Sequence, residues 1–85
     1  MKDNLYRETK YLRFELVDTK PKTVVLHVVS KRRAGLILGE ISWFSRWRQY
    51  TFDPEPSTTF NSECLQDIAD VLASLNEEHR KGKAS

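Results

Sequence analysis

Most kinds of chemical site lack their raw material in this chain. There is one cysteine among 85 residues, Cys64, so no internal disulfide can form and a reducing compartment suits it. The two histidines, His27 and His79, stand far apart, and no cysteine pair accompanies either. A metal site needs several such ligands at set spacings, and none is expected. Gly35, Gly39 and Gly82 do not build a glycine-rich phosphate loop, and no nucleophile motif occurs. Cys64 has no histidine near it in sequence to act as a base, so it reads as a small apolar residue. Carboxylates are paired at Asp67 and Asp70 and at Glu77 and Glu78. They fall on the solvent face of a helical pattern, and a chain this short has little room for the pocket that catalytic carboxylates need. These absences point to a protein that is not an enzyme and takes no cofactor.

Long apolar runs are missing too. None approaches the roughly 20 residues of a membrane-spanning helix. The start, Met1 to Glu8, has no apolar signal core. A cytoplasmic protein with no membrane partner is the expectation. Charge is nearly balanced, at +2 with histidine neutral, which permits an anionic partner without requiring one. No internal repeat or low-complexity tract occurs.

What is present suits one small domain with a thin core. A chain of this length buries roughly 60–65% of the surface it exposes when unfolded. Its 39% hydrophobic content is enough for one layer of helix on one sheet. Residues 1–9 are polar and read as a flexible end. From residue 10 to about 17, Leu12, Phe14 and Leu16 alternate with Tyr11, Arg13 and Glu15, the mark of a strand with one buried face. Pro21 lies in a turn. Residues 23–30 form the most strand-like run. Pairing it back on the first strand can set Val24, Leu26 and Val28 beside Leu12, Phe14 and Leu16, which turns His27 to the other face. The phase stays open by one residue, because Val25 and Val29 are apolar too.

Residues 36–43 and 48–53 read as a hairpin. Ile37, Gly39, Ile41 and Trp43 share one face of its first strand, and Arg48, Tyr50 and Phe52 one face of its second. A reversal at Phe44-Ser45-Arg46-Trp47 would put Ile41 opposite Tyr50 and Gly39 opposite Phe52. The glycine then leaves room for the ring. Pro54 and Pro56 end the sheet. Asn61 is a good N-cap, and Phe60 and Leu65 have the spacing of a hydrophobic staple. A helix is expected from about 62 to about 80, with Gly82 as its stop. Its apolar stripe is Leu65, Ile68, Ala69, Leu72 and Leu75, widened by Val71. The fold class is therefore α+β: a two-layer domain over residues 10–81, about four antiparallel strands and one helix, with residues 82–85 a second flexible end.

The candidate contact residues fall in two basic stretches. A continuous basic stripe joining Lys31, Arg32, Arg33, Arg46 and Arg48 would favour nucleic acid, and an apolar patch interrupted by acids would favour a protein partner. Lys31, Arg32 and Arg33 form a cationic loop between strands, suited to phosphates. Phe44, Arg46, Trp47 and Arg48 crowd the hairpin tip. Aromatics interleaved with arginine suit stacking on bases and contact with phosphates. They equally suit a protein-interface hot spot.

Gly39-x-Ile41-x-Trp43-x-x-x-Trp47-Arg48-x-Tyr50-x-Phe52-x-Pro54, followed by Thr59-Phe60 and Cys64-Leu65-x-x-Ile68, resembles a group of small uncharacterised proteins of bacteriophages and related mobile elements. The resemblance covers residues 39 to about 75 and carries no activity of its own. In architecture alone, a sheet backed by a helix is also similar to the DNA-binding domains of plant ethylene-response factors and some transposon integrases, which insert a three-stranded sheet in the major groove. Glu15 and Glu40, on the would-be reading face, depart from that pattern. Two readings stay open: a nucleic-acid-binding accessory protein of a mobile element, contacting DNA or RNA, or a module that docks on another protein through the hairpin or a sheet edge.

Overall fold

Period-two alternation governs the sheet, and small breaks in that period shape it. The computed structural model describes residues 4–33 and 35–84. Among them run β1 (Leu5–Glu8), β2 (Leu12–Thr19), β3 (Val24–Ser30), β4 (Ile37–Phe44), β5 (Gln49–Pro54) and α1 (Ser62–Ala84). The strands form one antiparallel meander in the order β1-β2-β3-β4-β5. The helix lies across one face. The shortest dimension of 20 Å is that of one helix layer on one sheet layer.

The expected four strands are thus five. The added strand, β1, falls in the stretch expected to be flexible. It hides in the sequence because it is polar and because a bulge breaks its alternation. Leu5 pairs with Glu15 but Arg7 with Phe14, so Tyr6 is an extra residue. Both Tyr6 and Arg7 then reach the helix. The Tyr6 hydroxyl donates to Glu78 Oε2 at 3.2 Å, and Arg7 Nη2 donates to Ser74 Oγ at 2.9 Å. Residues 1–3 and 85 of the two expected flexible ends lie outside the described residues.

Similar bulges occur at Val17 in β2 and at Leu38 in β4. Each raises the local twist and helps the sheet curl around the helix. The one at Leu38 also corrects the expected face of Ile37. Ile37 pairs with Val29 and is carried to the open side of the sheet, where it is 40% exposed, while Leu38 packs against the core. Elsewhere alternation holds. Phe14 pairs with Val28 and Leu16 with Leu26, and His27 turns to the open face between Glu15 and Glu40.

The buried face of the sheet offers Leu12, Phe14, Leu26, Val28, Ile41 and Tyr50, and the helix closes it with Ile68, Val71 and Leu75. The helical stripe is rotated from the expected one. Cys64 and Leu72 pack against the core, whereas Ala69 is exposed and Leu65 is 51% exposed. Phe60 is the reason. Its ring meets Phe52 edge-on at 5.5 Å, so it anchors the chain to the sheet, and Cys64 rather than Leu65 follows it inward.

Asn61 caps the helix as expected, its Oδ1 accepting from the Cys64 N–H at 2.8 Å. Asn61→Ala should cost about 0.5–2 kcal/mol and lower the melting temperature by several degrees in a circular dichroism melt. An unchanged melt would show that the cap is redundant. Gly82 does not stop the helix, which runs to Ala84. One glycine costs only about 1 kcal/mol against alanine, too little to end a helix already docked along the sheet.

Candidate functional site

The hairpin reverses in four residues, Ser45 to Arg48, and not at Phe44 to Trp47. Gln49 then pairs with Phe44, Tyr50 with Trp43 and Phe52 with Ile41. The register is shifted by two from expectation. A shift of two keeps every side chain on its face, so the core composition survives. Arg48 leaves the strand. It sits in the left-handed region at φ 55°, its N–H donating to Phe44 O at 2.8 Å. That is a position where glycine or asparagine is the ordinary choice, and a bulkier side chain there costs about 1–2 kcal/mol. The turn retains arginine there despite the strain.

Trp47 stands at the tip, 63% exposed, with an edge-on ring contact to Phe44 at 5.0 Å and its backbone N–H donating to Phe44 O at 3.1 Å. Trp43 belongs inside. It meets Tyr50 edge-on at 5.4 Å and stacks on His79 of the helix at 4.2 Å. Between the hairpin and the last turns of the helix lies a cleft of about 310 Å³, walled by Trp43, Trp47, Arg48, Gln49, Asn76, His79 and Arg80. His79 Nδ1 hydrogen-bonds Lys22 O at 3.2 Å, so the helix end, the hairpin and the β2–β3 turn meet at this histidine. Asn76 Oδ1 accepts the Tyr50 N–H at 2.8 Å. The Tyr50 hydroxyl accepts from Val24 N–H, and burial pushes its phenol up despite that bond.

Asn76, His79, Arg80 and Gln49 were not among the residues singled out from sequence. Their signal is topological. β5 carries the chain away from the tip, so the helix that follows must return to it.

This end of the molecule is basic. Lys20, Lys22, Arg46, Arg48, Arg80 and Lys81 gather at the two turns and the helix end, against Asp18, Glu77 and Glu78. Lys20 is near Asp18 at 3.9 Å, while Arg80 and Lys81 share Glu77. None of the ion pairs among the described residues involves Lys22, Arg46 or Arg48.

The second basic stretch does not join the first. Lys31, Arg32 and Arg33 lie at the opposite end of β4, whose eight residues span about 25 Å. Between them runs a cross-strand row on the open face, Glu15, His27, Glu40 and Asp53. Three carboxylates in that row make the open face a poor surface for phosphates. Lys31 also has structural work: its Nζ bonds Thr9 O and Glu8 Oε2, both at 2.9 Å, tying the β1–β2 turn to the β3–β4 loop. That hydrogen bond, and the charge behind it, hold the Glu8 carboxyl below its ordinary value. Arg33 borders a hollow shared with Glu40 and Glu55. The backbone N–H groups of Arg32 and Arg33 both donate to Ser30 Oγ.

Among the described residues no group of histidine, cysteine and carboxylate side chains is placed to hold a metal ion, and no helix is long and apolar enough to cross a membrane. No family model matches the chain. No solved structure matches it either. It is similar to an uncharacterised 9.3 kDa protein of Acholeplasma phage L2, with 29% identity over 75 residues, 88% of this chain and 96% of the phage protein. Wherever such a stretch begins, it includes residues 11–75, so the likeness to a small phage protein takes in β2 to β5 and most of α1.

Proposed function

We propose that this is a non-enzymatic accessory protein of a phage or mobile element, acting in the cytoplasm, that binds nucleic acid through its hairpin tip. The carrying observation is Trp47, the most exposed of the large hydrophobic side chains among the described residues, set between Arg46 and Arg48 in a turn that keeps arginine in a strained conformation. An exposed aromatic flanked by unpaired cations can stack on a base while the arginines meet the flanking phosphates. The neighbouring Lys22, Arg80 and Lys81 add to the local positive field. The likeness to a phage protein and the hairpin motif support the setting. The acidic row argues against groove insertion by the sheet face.

Arg48→Gly separates this role from folding. Glycine relieves the φ of 55°, so the variant should melt a few degrees higher. It should nonetheless bind oligonucleotides less tightly. Combined with Arg46→Ala, it should flatten the dependence of log Kd on log salt by about 1.4, since each lost phosphate contact removes about 0.7 for a single strand. Trp47→Ala should weaken binding by about 1–3 kcal/mol. The measurement is fluorescence anisotropy with labelled single- and double-stranded oligonucleotides at low and moderate salt. No binding by the unmutated chain at micromolar concentration would overturn this reading in favour of a protein partner docked on the same aromatic and arginine side chains.

A further inference from the structure

We infer that the cleft between hairpin and helix receives one unpaired nucleobase, so that the tip engages single strands rather than duplex; this rests on the tip being the nucleic-acid contact.

The hydrogen-bonding groups of the cleft are committed in advance. Asn76 Oδ1 accepts from a backbone N–H, which fixes the amide and leaves its nitrogen as a donor. A carbonyl oxygen can only accept, so His79 Nδ1 carries the proton in its bond to Lys22 O. In the neutral ring Nε2 is then left as an acceptor. Asn76 and His79 are three apart on one helix and therefore neighbours on its surface. Together they offer a donor beside an acceptor, which complements the pairing edge of adenine or cytosine. Adenine repeats that pattern at N6 and N7 in the duplex major groove, so what calls for an unpaired base is that a base held within a duplex cannot enter the cleft. Neither side chain must be ordered on binding, which removes part of the entropic cost of association.

The walls suit the same ligand. Trp43 is held at the inner end by His79, and Trp47 stands at the exposed rim. A base entering between hairpin and helix meets aromatic surface, and the phosphate beside it lies within the field of Arg48 and Arg80. The volume of about 310 Å³ is at the lower end of small-ligand sites. It has room for a base with its sugar.

The test compares three labelled ligands on the full chain: a short single-stranded deoxyoligonucleotide, an abasic strand of equal length, and a blunt duplex. The single strand should bind best, and loss of the bases should weaken binding roughly 5- to 100-fold. Asn76→Asp retains the acceptor for the Tyr50 N–H and loses the donor. Its added charge weakens binding to both strands, so the readout is the ratio of the two affinities, which should fall toward one while the melting temperature is kept. Equal binding of the abasic strand, equal binding of the duplex, or an unchanged ratio in Asn76→Asp would overturn the cleft assignment and leave the tip as a phosphate contact. Absence of binding to all three would remove the tip reading and this one with it.

Discussion

Val71→Asp should be the most damaging of the helix substitutions, with a melting temperature lowered by tens of degrees or no cooperative melt at all. Val71 is fully buried at the middle of the helix, against the sheet residues that make the core. The substitution removes an apolar side chain and puts a carboxyl where no partner waits. Together these cost roughly 4–7 kcal/mol. A domain of this size is stable by only about 4–13 kcal/mol, taking 0.05–0.15 kcal/mol per residue. At the low end of that range the whole margin goes, and at the high end between about a third and a half of it. Leu72→Asp should be milder, because Leu72 is only partly buried, and Leu65→Asp close to neutral, because Leu65 is 51% exposed. Circular dichroism melts of the three variants would establish the order. A Leu65 variant as damaged as the Val71 variant would show that the stripe faces the sheet through Leu65 after all.

Gly39→Ala should lower stability by about 2–3 kcal/mol, a fall in melting temperature of roughly 10–20 °C for a domain of this length. A Cβ at Gly39 would lie 2.5 Å from Phe52 Cε1, 2.7 Å from Phe52 Cζ and 2.6 Å from Asp53 O. The ring cannot simply swing aside, because Phe60 packs edge-on against it. The carbonyl belongs to the paired strand and cannot move without breaking the ladder. Phe52→Leu in the same chain should therefore restore only part of the loss. Gly35→Ala should do less. It meets open space, and its cost is the φ of 82° alone. Equal small losses at both positions would mean that β4 and β5 are further apart than described.

Several features were legible because they depend on neighbours in sequence. Alternation of Leu12, Phe14 and Leu16 marked the buried face of β2. The outward turn of His27 was only half legible: Val25 and Val29 are apolar as well, and the pairing of β3 with β2 settled the phase. Asn61 carried its own cap. The nearness of Gly39 to Phe52 was also legible, though through the wrong pairing. Gly39 is diagonal to Phe52, and its direct partner is Pro54. The turn decided that. A two-residue reversal would have announced itself with Asn-Gly or Asp-Gly. A four-residue turn closed by a left-handed arginine does not.

β1 was invisible for a different reason. Four polar-leaning residues with a bulge at Tyr6 show no period. Their strand exists because β2 offers an edge and the helix offers Ser74 and Glu78. The rotation of the helix also came from outside it, from Phe60 docking on Phe52 before the first turn.

By itself, the sequence determined the fold class, the membership of most of the core and the aromatic-arginine tip, because each rests on residue type and short-range period. Tertiary structure alone decided the rest. It separated the two basic stretches by the length of β4 and set an acidic row between them. It gave Lys31 to Glu8, and it returned Asn76, His79 and Arg80 to the hairpin tip. Those outcomes depend on which strand ends meet, and that is a property of chain path rather than of any local pattern.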